Sequence, residues 1–171
     1  MYKIVFFIFL LAGGTIYAQD YPKYKTKKAE GTVVAEPKEE TNKSEVVPAN
    51  TNDADFAALM EKGMGLGREK KYAEAAEIYT QAIPLSNEEN AYWPYFQRGL
   101  SYYVNHEPEK ALADYNAALT KKMPSENIRG NIHMFRAFVH NMLGHKKEAC
   151  ADYKIARELG AYSGDHVFDC E

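Results

Sequence analysis

The chain has 171 residues and a formal net charge of −3 at pH 7, with 26% charged and 46% hydrophobic residues. This length allows one modest domain with additional segments, and the composition is that of an ordinary globular protein. The nearly balanced charge and the absence of a basic stripe disfavour nucleic acid as a partner.

The first 18 residues have the pattern of a secretory signal peptide. Lys3 supplies a positive charge, and the apolar run from residue 4 to residue 12 is too short to span a bilayer. The small residue Ala18 stands at the expected cleavage point, so we expect a periplasmic or secreted protein that begins at Gln19. An uncleaved membrane anchor is the alternative interpretation.

Residues 19–52 are predicted to form a disordered linker. Between residues 20 and 52, six lysines and six acidic residues accompany Pro22, Pro37 and Pro48, without a helical apolar period. Such a segment buries too little apolar surface to offset the entropy lost on ordering. It is either a tether or partner-binding tail, or a spacer without a sequence-specific role.

Three similar segments follow, and each is predicted to form a hairpin of two helices: residues 53–87, 90–124 and 125–160. Their apolar residues recur with the 3.6-residue period of a helix, and Asp53 is predicted to cap the first one. One alanine of each second helix recurs at spacings of 36 and 38 residues: Ala75, Ala111 and Ala149. A self-similar period of this size is typical of repeat proteins.

Other small and aromatic residues recur in the same register. Small residues allow close approach in the first helices (Gly63, Gly99, Ala137) and in the second helices (Ala82, Ala118, Ala156). A tyrosine of each second helix is predicted to fill the gap to the next hairpin: Tyr79, Tyr115 and Tyr153. A single hairpin cannot bury its apolar face alone, whereas three stacked hairpins can.

On these residues the chain resembles tetratricopeptide-repeat proteins over roughly residues 54–160. The resemblance implies an all-α fold, a right-handed α-solenoid of about three helical hairpins, carried on the disordered N-terminal stalk. The C-terminal part, from Glu148 to Cys170, also resembles small exported repeat proteins of the Bacteroidetes group.

In tetratricopeptide-repeat proteins, the first helix of each hairpin lines a concave groove that binds peptides. The resemblance therefore implies a largely apolar groove here, lined by Ala57, Met60, Met64 and Arg68, by Trp93, Phe96, Leu100 and Tyr103, and by Asn131, Met134, Phe138 and Asn141. We expect an envelope or secreted protein to bind there through an apolar segment, because methionine and aromatic side chains make adaptable binding surfaces. The chain's own C-terminal tail or a second copy could cover the groove instead. A structural subunit that self-associates, for example as a homodimer, is the alternative function.

A second use of this family, a clamp of lysines and asparagines for C-terminal carboxylates, is not expected. Asn131, Asn141 and Arg68 alone do not rebuild such a clamp. His133 and His140 lie two turns apart and are interpreted as packing residues, and Asp152 as a solvated surface residue. The sequence has no nucleophile–base spacing and no phosphate loop, so we expect neither catalysis nor a metal, cofactor or small-molecule substrate.

The chain has two cysteines, Cys150 and Cys170, both near the C-terminus. In an oxidising compartment they are candidates for a disulfide. The disulfide would attach the tail, residues 161–171, to the last helix. Two free thiols are the alternative.

Overall fold

The structure is a computed structural model that describes residues 51–161 and Cys170. These residues form six α-helices and one 3-10 turn at Ile83–Leu85. The helices are α1 (Thr51–Arg68), α2 (Tyr72–Ala82), α3 (Tyr92–Val104), α4 (Pro108–Leu119), α5 (Glu126–Met142) and α6 (Lys146–Glu158). The predicted signal peptide, most of the predicted linker and most of the tail lie outside the described residues. Among the helices described, none is both long enough and apolar enough to cross a membrane.

The helices form three hairpins, α1–α2, α3–α4 and α5–α6, which stack in chain order through α2 against α3 and α4 against α5. Ring contacts also join the first helices of neighbouring hairpins. The ring centroids of Phe56 and Trp93 are 6.1 Å apart, and those of Phe96 and Phe135 are 5.5 Å apart. The first helices therefore lie side by side, and the core continues from one hairpin to the next.

Local sequence signals explain where several helices begin. Pro94 lies in the first turn of α3 and Pro108 opens α4, positions where the missing N–H of proline is harmless. The hydroxyl of Ser125 accepts a hydrogen bond from the backbone N–H of Ile128 at 3.3 Å and caps α5.

The start of α1 corrects two expectations. Residues 51 and 52, assigned to the linker from the sequence, are the first two residues of α1. Asp53 is therefore not the N-cap, because it lies inside the first turn. Its carboxylate there is favourable with respect to the partial positive charge at the helix N-terminus.

The recurring glycines allow each tyrosine of a second helix to pack against the first helix. A Cβ atom at Gly63 would lie 2.5 Å from Cε1 of Tyr79, and one at Gly99 would lie 2.8 Å from Cε1 of Tyr115. Each ring thus occupies the space above the glycine of its own hairpin. The predicted contact with the next hairpin is also present for Tyr115, whose ring centroid is 6.3 Å from that of Phe135.

The C-terminal end is attached to the third hairpin at two points. A Cβ atom at Gly130 would lie 2.7 Å from Cβ of Ala161, so this glycine allows Ala161, three residues after the end of α6, to pack closely on α5. Cys150 and Cys170 form a disulfide with Cα atoms 5.5 Å apart, the pairing that the sequence suggested. Cys150 and Ala161 pack against the same hydrophobic cluster, which includes Met134.

Candidate partner-binding surface

Four residues predicted to line the groove lie in the core instead: Met60, Trp93, Phe96 and Met134, with exposed fractions of 0%, 7%, 2% and 6%. The prediction that these side chains face a groove is therefore wrong. Trp93 and Phe96 pack against rings of neighbouring first helices, those of Phe56 and Phe135. Met134 packs within its own hairpin, in a cluster with α6 residues such as Tyr153. Truncating them would leave cavities in the core and would not test a surface.

The first helices become accessible to solvent toward their C-terminal ends. The residue directly after the recurring small residue is half-buried in each first helix: Met64, Leu100 and Phe138. The residue four positions later is exposed: Arg68, Val104 and Met142. Positions four residues apart lie on one face of a helix. We call these six residues the first-helix row.

Val104 and Met142 are the unusual members of the first-helix row. Their exposed fractions are 37% and 45%, and in the described part of the chain only one other large hydrophobic residue is as accessible, Ile155 at 36%. Ile155 lies on α6, a second helix. Two exposed apolar side chains at one register position of adjacent hairpins form a repeated feature, unlike apolar residues scattered singly over a surface.

Val104 and Met142 are absent from the predicted groove, although the sequence contains a signal for both. Each stands five residues after the small residue of its helix, Gly99 or Ala137. The predicted groove contains the preceding residue of each of these two helices, Tyr103 and Asn141. Applying the register of Arg68, five residues after Gly63, to all three hairpins would have identified both.

The remaining predicted residues flank the first-helix row. Ala57, Tyr103 and Asn131 are half-buried, and Asn141 is exposed. Burial raises the pKa of Tyr103, so its hydroxyl is protonated at neutral pH. The side-chain amide of Asn131 donates to that of Asn127 at 3.3 Å. That these residues contact a partner stays a prediction.

A buried ion pair joins the helices of the second hairpin to each other and to the first hairpin. Arg98 of α3 donates from Nε and Nη2 to the two carboxylate oxygens of Asp114 on α4, at 2.8 and 2.7 Å. Its Nη1 donates to the hydroxyl of Thr80 on α2 at 2.9 Å. One guanidinium group therefore fixes the position of three helices.

The third hairpin repeats this arrangement. Arg136 of α5 donates from Nε and Nη2 to the carboxylate of Asp152 on α6, both at 2.7 Å. Its Nη1 donates to the side-chain oxygen of Asn116 on α4 at 2.7 Å. Asp152 is only 3% exposed. The interpretation of Asp152 as a solvated surface residue is therefore wrong, because Arg136 supplies the charge that makes its burial possible.

Two histidines also approach Asp152. The Nδ1 atom of His133 is 2.8 Å from one carboxylate oxygen, and Nε2 of His140 is 3.8 Å from the other. Burial raises the pKa of Asp152, but hydrogen bonds from Arg136 and His133 outweigh it and hold the pKa below its ordinary value. Asp152 is therefore ionised at neutral pH, and both histidines pack against it.

Solved structures share this architecture. The second TPR domain of human RPAP3, in complex with the HSP70 peptide SGPTIEEVD, is similar with a TM-score of 0.58 and 20% identity, over 66% of this chain and 88% of that chain. The second TPR of Spaghetti (RPAP3), bound to the HSP90 peptide SRMEEVD, has a TM-score of 0.53 and 21% identity, over 64% and 97%. The Sgt2 TPR domain from Aspergillus fumigatus has a TM-score of 0.53 and 19% identity, over 69% and 72%.

The chain therefore has the all-α fold of tetratricopeptide-repeat domains, as the sequence resemblance implied. At this level of identity the likeness concerns the fold alone. Neither a protein-family model nor a curated protein matches the sequence.

Proposed function

We propose that this chain is an exported protein-interaction module whose first-helix row binds an apolar segment of a partner protein. The observation that carries the proposal is the exposure of Val104 and Met142 at one register position of adjacent hairpins. Leu100 and Phe138, one helical turn before them, continue the apolar surface toward the core. The proposal includes no catalytic reaction and no cofactor.

The exposed area sets the expected strength of binding. Covering the accessible parts of Val104 and Met142 would contribute on the order of 3 kcal/mol. Association has to overcome lost translational and rotational freedom that is at least as large. A partner must therefore also contact flanking residues such as Tyr103 and Asn141, and we expect an affinity of about micromolar order.

The charge along the first-helix row favours an apolar ligand over an acidic one. The peptides in the similar solved complexes, SGPTIEEVD and SRMEEVD, end in EEVD. In this chain the row has one cation, Arg68, and the equivalent positions in the other hairpins are Val104 and Met142. We therefore propose a partner segment with at least two apolar side chains and at most one carboxylate, placed near Arg68.

Export is part of the proposal. The disulfide between Cys150 and Cys170 supports it, because such bonds persist in oxidising compartments and are rare in the cytosol. The signal-peptide pattern of residues 1–18 supports it independently, although that segment lies outside the described residues. A periplasmic or secreted location is consistent with both observations.

A peptide-library selection followed by titration calorimetry tests the proposed ligand. The protein would be the chain from Gln19 onward, and the selection would include EEVD-ending peptides as competitors. We expect apolar peptides to be enriched. The double variant Val104→Ser plus Met142→Gln should bind the selected peptide at least about tenfold more weakly, because most of the exposed apolar area is lost.

Ile155→Gln is the matched control, since it removes a side chain of similar exposure from a second helix. It should leave the affinity unchanged, and all variants should retain the same helical circular dichroism. Enrichment of EEVD peptides, or equal binding by the double variant, would contradict the proposal. If the mass of the free protein rises with concentration and the double variant abolishes this, the row binds a second copy and the alternative function holds.

A further inference from the structure

Two histidines lie side by side at the turn of the third hairpin, outside the first-helix row. His140 is in the last turn of α5, and His145 directly precedes α6. Their Nδ1 atoms are 3.3 Å apart, and their ring centroids are 5.6 Å apart. His133 and His140 share a face of α5, but the turn through Gly144, at a φ of +76°, pairs His140 with His145 instead.

The separation of the two nitrogens fits two ligands of one metal ion. At 3.3 Å the two Nδ1 atoms are within hydrogen-bonding distance, so one ring can donate to the other. Two nitrogens that each lie about 2.0–2.1 Å from a tetrahedral metal ion are about 3.3–3.4 Å apart. His145 is exposed, so a small rotation of its ring can direct both Nδ1 lone pairs toward a common point.

The environment of His140 favours the form of the ring that binds metals. Its Nε2 faces a carboxylate oxygen of Asp152 at 3.8 Å. In metal sites, the second nitrogen of a ligating histidine usually donates its hydrogen to a carboxylate or carbonyl, which fixes the tautomer. The 3.8 Å separation is longer than a hydrogen bond, but the negative charge of Asp152 favours the tautomer with its hydrogen on Nε2, which keeps a lone pair on Nδ1. Burial also lowers the pKa of His140, which favours the neutral ring.

We propose that His140 and His145 form a binding site for a late first-row divalent cation such as Cu²⁺ or Zn²⁺. Imidazole nitrogens suit these ions. Water completes the coordination, because nowhere in residues 51–161 are three or more His, Cys, Asp or Glu side chains grouped to hold a metal ion. The bound ion connects the end of α5 to the start of α6 and stabilises the third hairpin by mass action.

The second hairpin offers a matched control. Its residues at the register of His140 and His145 are Tyr102 and Glu107, so the pair is specific to the third hairpin. Its turn contains His106, which is exposed and stands at the register of Gly144. His106→Asn therefore removes a histidine from an equivalent turn without changing the proposed site.

The test is titration of the chain from Gln19 onward, prepared without a histidine tag, with CuCl₂ and separately with ZnCl₂. We expect wild-type protein to bind one ion at this site with a higher unfolding temperature. His145→Asn and His140→Gln should each weaken that binding at least about tenfold, whereas His106→Asn should not. His145→Asn should fold normally, because the residue is exposed and asparagine is favourable before a helix.

Two results would overturn the proposal. In the first, wild-type protein binds neither ion. In the second, wild-type and His145→Asn proteins bind both ions with the same affinity, so that any bound ion lies elsewhere. The difference between His145→Asn and His106→Asn separates this site from general binding by surface histidines.

Discussion

The second and third hairpins contain the same arginine–aspartate ion pair in different chemical surroundings. In the second hairpin, Cζ of Arg98 lies 5.7 Å from the ring centroid of Tyr95 and 6.0 Å from that of Tyr102. The same register positions in the third hairpin are His133 and His140. Cation–π contacts of tyrosine persist at any pH near neutral, whereas imidazole changes its charge there. We therefore expect the surroundings of the ion pair to respond to pH in the third hairpin and not in the second.

The second helices of the two hairpins also differ in the hydrogen bonds they offer to a later repeat. The third nitrogen of each arginine donates to the preceding hairpin, to Thr80 or to Asn116. The corresponding position of α6 is Lys154. A lysine cannot accept a hydrogen bond, so the third hairpin offers no equivalent acceptor to a further repeat.

Breaking the two ion pairs should give the largest effect. Asp152→Asn is expected to lower the free energy of unfolding by about 3 kcal/mol, because it leaves the half-buried charge of Arg136 without its partner. Asp114→Asn should cost less, since His133 adds a contact in the third hairpin only. Urea unfolding at pH 7 measures both values. An equal or larger loss for Asp114→Asn would mean that the histidine contact contributes nothing.

Substitution of the small residue in the first helix should have a different effect on stability in each hairpin. Gly99→Ala places a Cβ atom 2.8 Å from the ring of Tyr115, which is fully buried and cannot move away freely. We expect Gly99→Ala to lower the free energy of unfolding by about 1–2 kcal/mol. The third hairpin naturally has an alanine at this register position, Ala137. Ala137→Gly should cost about 1 kcal/mol through helix propensity. Stabilisation by Gly99→Ala in thermal unfolding would refute this account of the packing.

Substitutions in the hairpin turns should change the free energy of unfolding by a smaller amount. Lys70, His106 and Gly144 occupy one register position with φ values of +62°, +60° and +76°. Gly144→Ala should therefore lower the free energy of unfolding by about 1 kcal/mol, and His106→Gly should raise it by less than that. Urea unfolding of both variants, in parallel with wild-type protein, checks that one loses stability and the other gains it. A loss for His106→Gly, or no loss for Gly144→Ala, would show that the positive φ of these turns does not limit stability.

The pH response should give the smallest effect. Burial lowers the pKa of His140, and the charge of Arg136 adds to the shift while Asp152 opposes it. Between the lowered folded pKa and about 6.5, the unfolded chain binds more protons, so stability falls as the pH is lowered through this window. His140→Tyr installs the residue of the second hairpin and should remove this loss.

The check is the urea midpoint at pH 7.5 and 5.5, in the presence of EDTA so that no metal contributes. The contribution of Asp152 does not interfere, because its lowered pKa means that its stabilisation is lost only at pH values below 3.8. An unchanged difference between the two midpoints in His140→Tyr would exclude His140 as the cause.

The hairpins and their turns could be predicted because their signals are local. Pro108, Ser125 and Gly144 act within one turn of their own positions, and the recurring small residues give the register. The extent to which the predicted groove residues are buried could not be predicted from such local signals. Periodicity indicates that Trp93 and Phe96 lie on one side of α3, but the neighbouring hairpins determine how far that side is covered.

Asp152 illustrates the same limit. In the sequence it is one acidic residue in a charged helix, and its partner Arg136 lies on another helix. The signal that could have revealed the pair is its repetition, since Arg98 and Asp114 are also separated by 16 residues. The proximity of His140 and His145 depends on a turn conformation that the sequence pattern does not specify.

The most direct test of the central claim is photo-crosslinking in intact cells that produce the protein. A photoreactive amino acid would be placed at position 104, at 142 or at 155 in separate variants. We predict adducts with one partner protein from positions 104 and 142 and none from position 155. Equal adducts from all three positions, or none from any, would contradict a binding role for the first-helix row.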